Sequence, residues 1–264
     1  GSASWRADYA RAFAECGRRW AALHETWDAL EARGEKQVRA LTHELDQFRS
    51  AEGTWLERDA LHQVLATHYG TPEADRWPAS IDRWLFSRRG DTVGRGERLA
   101  RLRRSHTREL TRYAREPLLL AIDHRRFLES AHAQGLSVWA DLQVGHAYAD
   151  RWANPDALLE GYAMGAPPSR TNPRGQPWGY PVLHPGRSAE ADALRASRFA
   201  RLFHDYDGVR VDHPHGFVCP WVYREGEADP FQAVRDGARL FSVGADARHA
   251  AIAPFDIVRA EQLD

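Results

Sequence analysis

A change of periodicity at Gly135 is the feature that most limits what this chain can fold into. Ahead of it, apolar residues return every three or four positions. Behind it, short apolar runs alternate with helical stretches. Trp5, Tyr9 and Phe13 fall at i, i+4 and i+8, and Trp20, Leu23, Trp27 and Leu30 extend the stripe. Further helices are predicted over 36–50, 55–69 and 97–134, separated by Gly53, by Gly70-Thr71-Pro72 and by the Arg/Gly-rich stretch 88–96. Aromatic residues at helical spacing read as core.

After Gly135, Leu136-Ser137-Val138-Trp139-Ala140 has the character of a buried parallel strand. A Gly/Pro/Asn-rich loop is expected over 161–187 and a helix over 188–204, leading into the strand Gly208-Val209-Arg210-Val211-Asp212. Another loop follows, then a helix near 229–241 and a third strand at Phe255-Asp256-Ile257-Val258. This is the rhythm of a parallel α/β fold. An eight-stranded barrel takes roughly 200–250 residues, and about 130 here keep the rhythm, enough for part of one. The expected organisation is a mostly helical region over 1–134 and a partial (β/α) barrel segment over 135–264.

Composition narrows the function. A net charge of −1 with a pI near 7.0 argues against nucleic acid as a partner. Lys36 is the one lysine among 36 basic residues, and the arginines are interspersed with acids, as on solvated ion-paired faces. No apolar run approaches the ~20 residues that span a bilayer, and no signal-peptide pattern opens the chain. Gly1-Ser2 reads as the scar of a cleaved tag. Cys16 and Cys219 lie far apart without metal spacing, which predicts a reducing, cytoplasmic setting. No motif calls for a cofactor or a metal.

Three segments can carry chemistry. Along a strand Arg210 and Asp212 share one face, so the guanidinium favours an ionised carboxylate at the strand's C-terminal rim. A nucleophile needs that state, and an aspartate that only caps the next element has the same spacing. Asp141-Leu142-Gln143-Val144-Gly145-His146 puts a second carboxylate and a histidine after the earlier strand; a capping Asp and a surface His fit equally. Residues 165–181 hold five prolines with Trp178 and Tyr180. Such rings suit a pyranose face and Gln or Asn its hydroxyls, while a purely structural loop is the other reading. Asp212-His213-Pro214-His215 also contains a His-x-His pair that zinc hydrolases use, but only His249 remains downstream to complete a ligand set.

Residues 135–223 resemble the amylomaltase (4-α-glucanotransferase, glycoside hydrolase family 77) proteins of the α-amylase clan. The resemblance rests on Ala140-Asp141-Leu142-Gln143, Trp152-Ala153-Asn154-Pro155, Gly165 to Ser169 with Gly175 to Pro181, and Arg210-Val211-Asp212-His213 followed by Gly216-Phe217. It implies a partial TIM-type barrel preceded by a largely helical inserted region. It also implies retaining transfer of α-1,4-glucan segments between maltodextrins. In that reading Asp212 attacks the anomeric carbon and Arg210 keeps it charged. His213 and Asp141 bind the sugar, and Gln176, Trp178 and Gly179 lie in the loop on the acceptor side.

Two departures stand out. Ser169 replaces the family's Asp. Glu261, in Ala260-Glu261-Gln262-Leu263, follows Arg259 where an apolar strand residue is expected, so it is a weak match to the family's acid/base. The family's third carboxylate motif and early barrel strands have no counterpart, so an isolated 264-residue chain is expected to be incomplete and inactive. The alternatives are a non-catalytic or degenerate glucan-binding fragment, and an α-amylase-type hydrolase, whose Asp-x-x-x-x-His pattern Asp141 and His146 also fit.

Overall fold

A computed structural model of the chain describes residues 8–240 and the backbone of 257–258. The first half is helical: α1 (Tyr9–Ala32), α2 (Lys36–Tyr69), α3 (Ser80–Arg83), α4 (Thr92–Ser105) and α5 (Thr107–Ala133). Their ends follow side-chain chemistry. Asp8 accepts from the Arg11 amide at 3.0 Å and Asp91 from that of Gly94 at 2.8 Å, each filling an orphan donor of a first turn. Gly70, at φ 71°, closes α2 in the left-handed conformation. Gly53 interrupts α2 with φ 56° and ψ −126°, so the two predicted helices on either side of it meet end to end. The helix predicted over 97–134 is two, α4 and α5, broken at His106.

Two apolar clusters hold the helices. One joins Trp27, Val38, Leu45 and Leu56 to Ala114 and Leu118 of α5. The other joins Leu61, Leu65, Trp77, Leu85, Leu102 and Leu110 to Trp152 and Ala153, which belong to the α/β part. The aromatic stripe is therefore core only in part: Trp27 is buried, whereas Tyr9 and Phe13 are exposed. Nor are all the arginines on solvated faces. Arg98 bonds buried Asp82 through two nitrogens at 2.8 Å each, and Tyr69 Oη donates to the same carboxylate at 2.7 Å. Trp152 Nε1 donates to the Asp82 carbonyl at 2.7 Å, so this one residue ties α3 to α4, to α2 and to the α/β part.

The second half holds β1 (Trp139–Leu142), α6 (Tyr148–Ala153), β2 (Leu158–Ala166), β3 (Gln176–Leu183), α7 (Ser188–Asp205), β4 (Gly208–Val211), α8 (His215–Val218), β5 (Trp221–Arg224), α9 (Pro230–Arg235), β6 (Ala238–Leu240) and β7 (Ile257–Val258). β1 and β4 form a parallel pair with Trp139 opposite Gly208 and Asp141 opposite Arg210. The remaining five strands form one antiparallel sheet in the order β3-β2-β5-β6-β7.

The uniformly parallel rhythm is therefore corrected: among the described residues only β1 and β4 are parallel, and the fold is mixed α/β. The predicted loop over 161–187 is largely the β2–β3 hairpin, because Leu158-Leu159 and Pro181-Val182-Leu183 pack apolar faces that a polar-residue count hides. The loop predicted after Asp212 contains β5, whose Trp221-Val222-Tyr223 run is all buried. The helix near 229–241 is only the six residues of α9, capped by Asp229 with Pro230 at its start. The third strand pairs antiparallel to β6.

Replacing Asp82 by alanine leaves Arg98 without its partner in a buried setting. The expected loss is about 3 kcal/mol of unfolding free energy in urea denaturation, with an unchanged m-value.

Candidate functional site

The site grows from the β1–β4 register. Because Asp141 lies opposite Arg210, one Arg210 nitrogen, Nη1, reaches both Asp141 oxygens at 2.6 Å. Its other nitrogen, Nη2, donates to Asp212 Oδ1 at 2.9 Å. A single guanidinium thus spans two carboxylates on neighbouring strands. The Asp212 amide continues the ladder by donating to Leu142 O at 2.9 Å, and the chain then leaves the strand at His213. His213 has φ 52°, a left-handed conformation costing a non-glycine residue roughly 1–2 kcal/mol. The turn brings its Nδ1 to 3.3 Å from Asp212 Oδ2. Asp212 therefore has one oxygen on Arg210 and the other on His213, and its side chain stays 37% exposed.

The Asp212 carboxyl is held below the usual carboxylate range, first by the His213 contact and, against an opposing desolvation, by the Arg210 charge and hydrogen bond. The expected Arg210 support is thus joined by the histidine one step along, which the left-handed turn folds back onto the second oxygen. The Arg210 guanidinium is raised above its ordinary value, chiefly by its bond to Asp141.

The aromatic hairpin meets this site. In the β2–β3 ladder Met164 pairs with Tyr180 and Gly165 with Pro177, so Trp178 and Gly179 are extra residues in β3. That bulge, with Gly179 at φ 72°, turns Trp178 out of the ladder. Its ring lies edge-on to His213 at 5.2 Å between centroids, and its Nε1 donates to Gln176 Oε1 at 2.9 Å. Arg210, Asp212, His213, Asp141, Trp178 and Gln176 thus form one connected group. Gly179 supplies the turn, and its own N–H points to Tyr223 Oη at 3.0 Å. Tyr223 was missed: the aromatic and β-branched run Trp221-Val222-Tyr223 favours a strand, but a strand's partner is not written in its own residues.

His146 departs from both of its readings. Its side chain is 2% exposed, so it is neither a surface histidine nor a rim partner of Asp141. Neither ring nitrogen finds a hydrogen-bond partner, and Asp150 Oδ2 stays 3.9 Å away. Burial first, and Arg198 second, push the imidazole down to about 4, with Asp150 pulling the other way. Trp152 of the Trp-Ala-Asn-Pro segment is core, not site. Glu261 and His249 lie outside the described residues. A cleft of about 480 Å³ runs between the helical half and the hairpin, lined by Trp84, Tyr148, Arg151, Gly179, Tyr223 and Glu225 among others; Asp212 does not line it. Among the described residues, no three or more His, Cys, Asp or Glu converge to hold a metal ion. No helix among them is long and apolar enough to cross a membrane.

Fold and site together define a mixed α/β chain that presents an arginine-bridged carboxylate pair beside an aromatic bulge. The profile of glycoside hydrolase family 77, described as 4-alpha-glucanotransferase, matches residues 3–251, and the chain belongs to that family. It is 34% identical over 203 residues to 4-alpha-glucanotransferases of Mycobacterium tuberculosis and Mycobacterium bovis, covering 70% of this chain and 25% of each relative. A Synechocystis 4-alpha-glucanotransferase is 34% identical over 107 residues, covering 37% of this chain and 21% of the relative. The chain therefore spans about a quarter of the length of the mycobacterial relatives. Among solved structures it is similar in fold to the amylomaltase from Streptococcus agalactiae in complex with acarbose. That match has a TM-score of 0.63 and 22% identity, covering 80% of this chain and 41% of that one.

Two outcomes are expected. Substituting His213 or Arg210 by glutamine should in each case move the carbon-13 titration of the Asp212 carboxyl upward in pH. For His146, the unfolded chain binds the proton near pH 6.5 and the folded chain near 4. Its stability is full above pH 6.5 and falls as pH drops toward 4, by up to about 3 kcal/mol. Urea titrations at pH 7.5 and 4.5 should show this loss, and His146→Phe should remove it.

Proposed function

We propose that this chain supplies the nucleophile side of a 4-α-glucanotransferase that moves α-1,4-glucan segments between maltodextrins with retention of configuration. The observation that carries the reading is the meeting of an exposed, doubly supported Asp212 carboxylate with the Trp178 bulge across His213. Asp212 is the nucleophile: it attacks the anomeric carbon, the glycosidic bond breaks, and a glycosyl-enzyme ester forms. A sugar hydroxyl then displaces the carboxylate in place of water. Arg210 holds the carboxylate charged and oriented, and His213 fixes its second oxygen while bordering the donor sugar. Trp178 offers a flat face to a pyranose, with Gln176 and Asp141 as hydroxyl partners and Gly179 shaping the bulge.

Asp141 is not the proton donor in this scheme, because a carboxylate accepting with both oxygens has no O–H to give. That role falls to a residue outside the described set, for which Glu261 is the candidate in this chain. The organisation that goes with this reading is a mostly helical region over 1–134 and a segment of a (β/α) barrel over 135–264, built around the parallel β1–β4 pair. The substrates are α-1,4-glucan oligosaccharides, and free Cys16 and Cys219 suit a cytoplasmic setting.

A second reading, a glucan-binding unit without turnover of its own, is favoured by one observation: both Asp141 oxygens accept from Arg210, which leaves Asp141 no proton to give a leaving group. Both are tested by the same pair of measurements, acarbose binding by calorimetry and product analysis from maltotriose. Transfer gives a ladder longer than the donor, while hydrolysis gives only shorter sugars and points to the amylase-type alternative. Asp212→Asn should lower transfer by on the order of 10⁴-fold or more while retaining acarbose binding. Substantial residual transfer by that variant removes Asp212 from the nucleophile role. Binding without turnover in the unmodified chain selects the binding unit, and absence of both refutes the carbohydrate reading.

A further inference from the structure

The hairpin bulge is held from beneath by one hydroxyl. Trp178 and Gly179 are extra to the β2–β3 ladder, with no cross-strand partner of their own in it. The Gly179 amide is therefore left to find a partner elsewhere, and it donates to Tyr223 Oη at 3.0 Å. Tyr223 sits on β5 opposite Ala163, 6% exposed, in a cluster with Trp221, Ala233 and Val234. Its ring crosses β2 at Gly165, where even one added carbon would stand 3.0 Å from Tyr223 Cε1 and 2.4 Å from the Gln176 carbonyl. The tyrosine reaches the bulge because position 165 has no side chain. Both ring and hydroxyl are then fixed, the first by packing and the second by a single amide.

We infer that Tyr223 is a positioning residue, whose hydroxyl sets the Trp178 bulge against His213 and so determines how well a pyranose is gripped beside Asp212. This rests on the reading of Asp212 and Trp178 as a sugar site. Tyr223 touches no reacting atom. It acts through the Gly179 amide, then the Trp178 backbone, then the edge contact between Trp178 and His213. Without the hydroxyl, the Gly179 N–H loses its acceptor and the bulge gains alternative arrangements. The strand and its apolar packing remain, because the aromatic ring is still present.

The test is Tyr223→Phe in the full 264-residue chain, with Ala233→Gly as a control that loosens the same cluster without touching the hydroxyl. Three quantities are read: the nitrogen-15 shifts of the Gly179 amide and Trp178 indole, the acarbose dissociation constant, and the melting temperature. The expected result for Tyr223→Phe is displaced Gly179 and Trp178 resonances and about fivefold weaker acarbose binding. Ala233→Gly should lower the melting temperature with affinity unchanged. Where transfer is measurable, KM rises in Tyr223→Phe with kcat little altered. If Tyr223→Phe binds acarbose like the parent, or if Ala233→Gly weakens binding equally, the positioning role is overturned while the sugar site stands. If the parent itself does not bind acarbose, the sugar-site reading fails and this inference falls with it, whatever the resonances do.

Discussion

Everything at the site depends on the parallel register of β1 and β4. Opposite residues in a parallel pair share a face, so placing Asp141 across from Arg210 puts one guanidinium within reach of two carboxylates. A slip of one residue would turn Arg210 and Asp212 together to the other face and leave Asp141 opposite a valine, without its cation. The register is steadied at its start by Gly208, where an added side chain would stand 2.8 Å from the Trp139 ring. Asp207 helps as well, accepting from the Val138 amide at 2.7 Å and from His132 at 2.8 Å.

A second constraint joins this pair to the rest of the molecule. Asp82 is buried with Arg98, Tyr69 and Trp152 around it, and Trp152 carries α6 and the start of β2 with it. Burial alone would raise the Asp82 carboxyl, yet Arg98 and Tyr69 hold it lowered, the sign of a charge that is fully paired. The helical half thus braces the scaffold on which the hairpin stands. The hairpin in turn carries Trp178 to His213, over a β5 strand whose Tyr223 reaches back to the bulge. The geometry of the site is a chain of supports, each of which is a short contact between elements distant in sequence.

Much of the fold was legible. Helical spacing marked α1, both parts of α2 and α7 to within a few residues, and Gly53 and Gly70 marked real interruptions. Alternation in Gly208-Val209-Arg210-Val211-Asp212 placed Arg210 and Asp212 on one face, as they are. Polar and turn-forming residues conceal the strands that follow α6. The 161–187 stretch pairs as strands because β2 packs against β5, and that partner lies far on in the sequence, Tyr162 pairing with Arg224 and Gly165 with Trp221. His146 was misread because nothing local distinguishes a histidine sealed under Arg198 and α6 from one in water.

The sequence by itself determined that a carboxylate, its arginine and its histidine would stand at the end of one strand, since period-two alternation and a two-residue step are local geometry. It also carried the motifs by which the chain joins its family. Only tertiary structure decided that Asp141 shares the same guanidinium, that Trp178 comes to His213, that His146 is buried and that Tyr223 underpins the bulge. Each of those depends on which strands become neighbours and in what register. That choice is made by burial summed over the whole sheet, and no short window of sequence contains it.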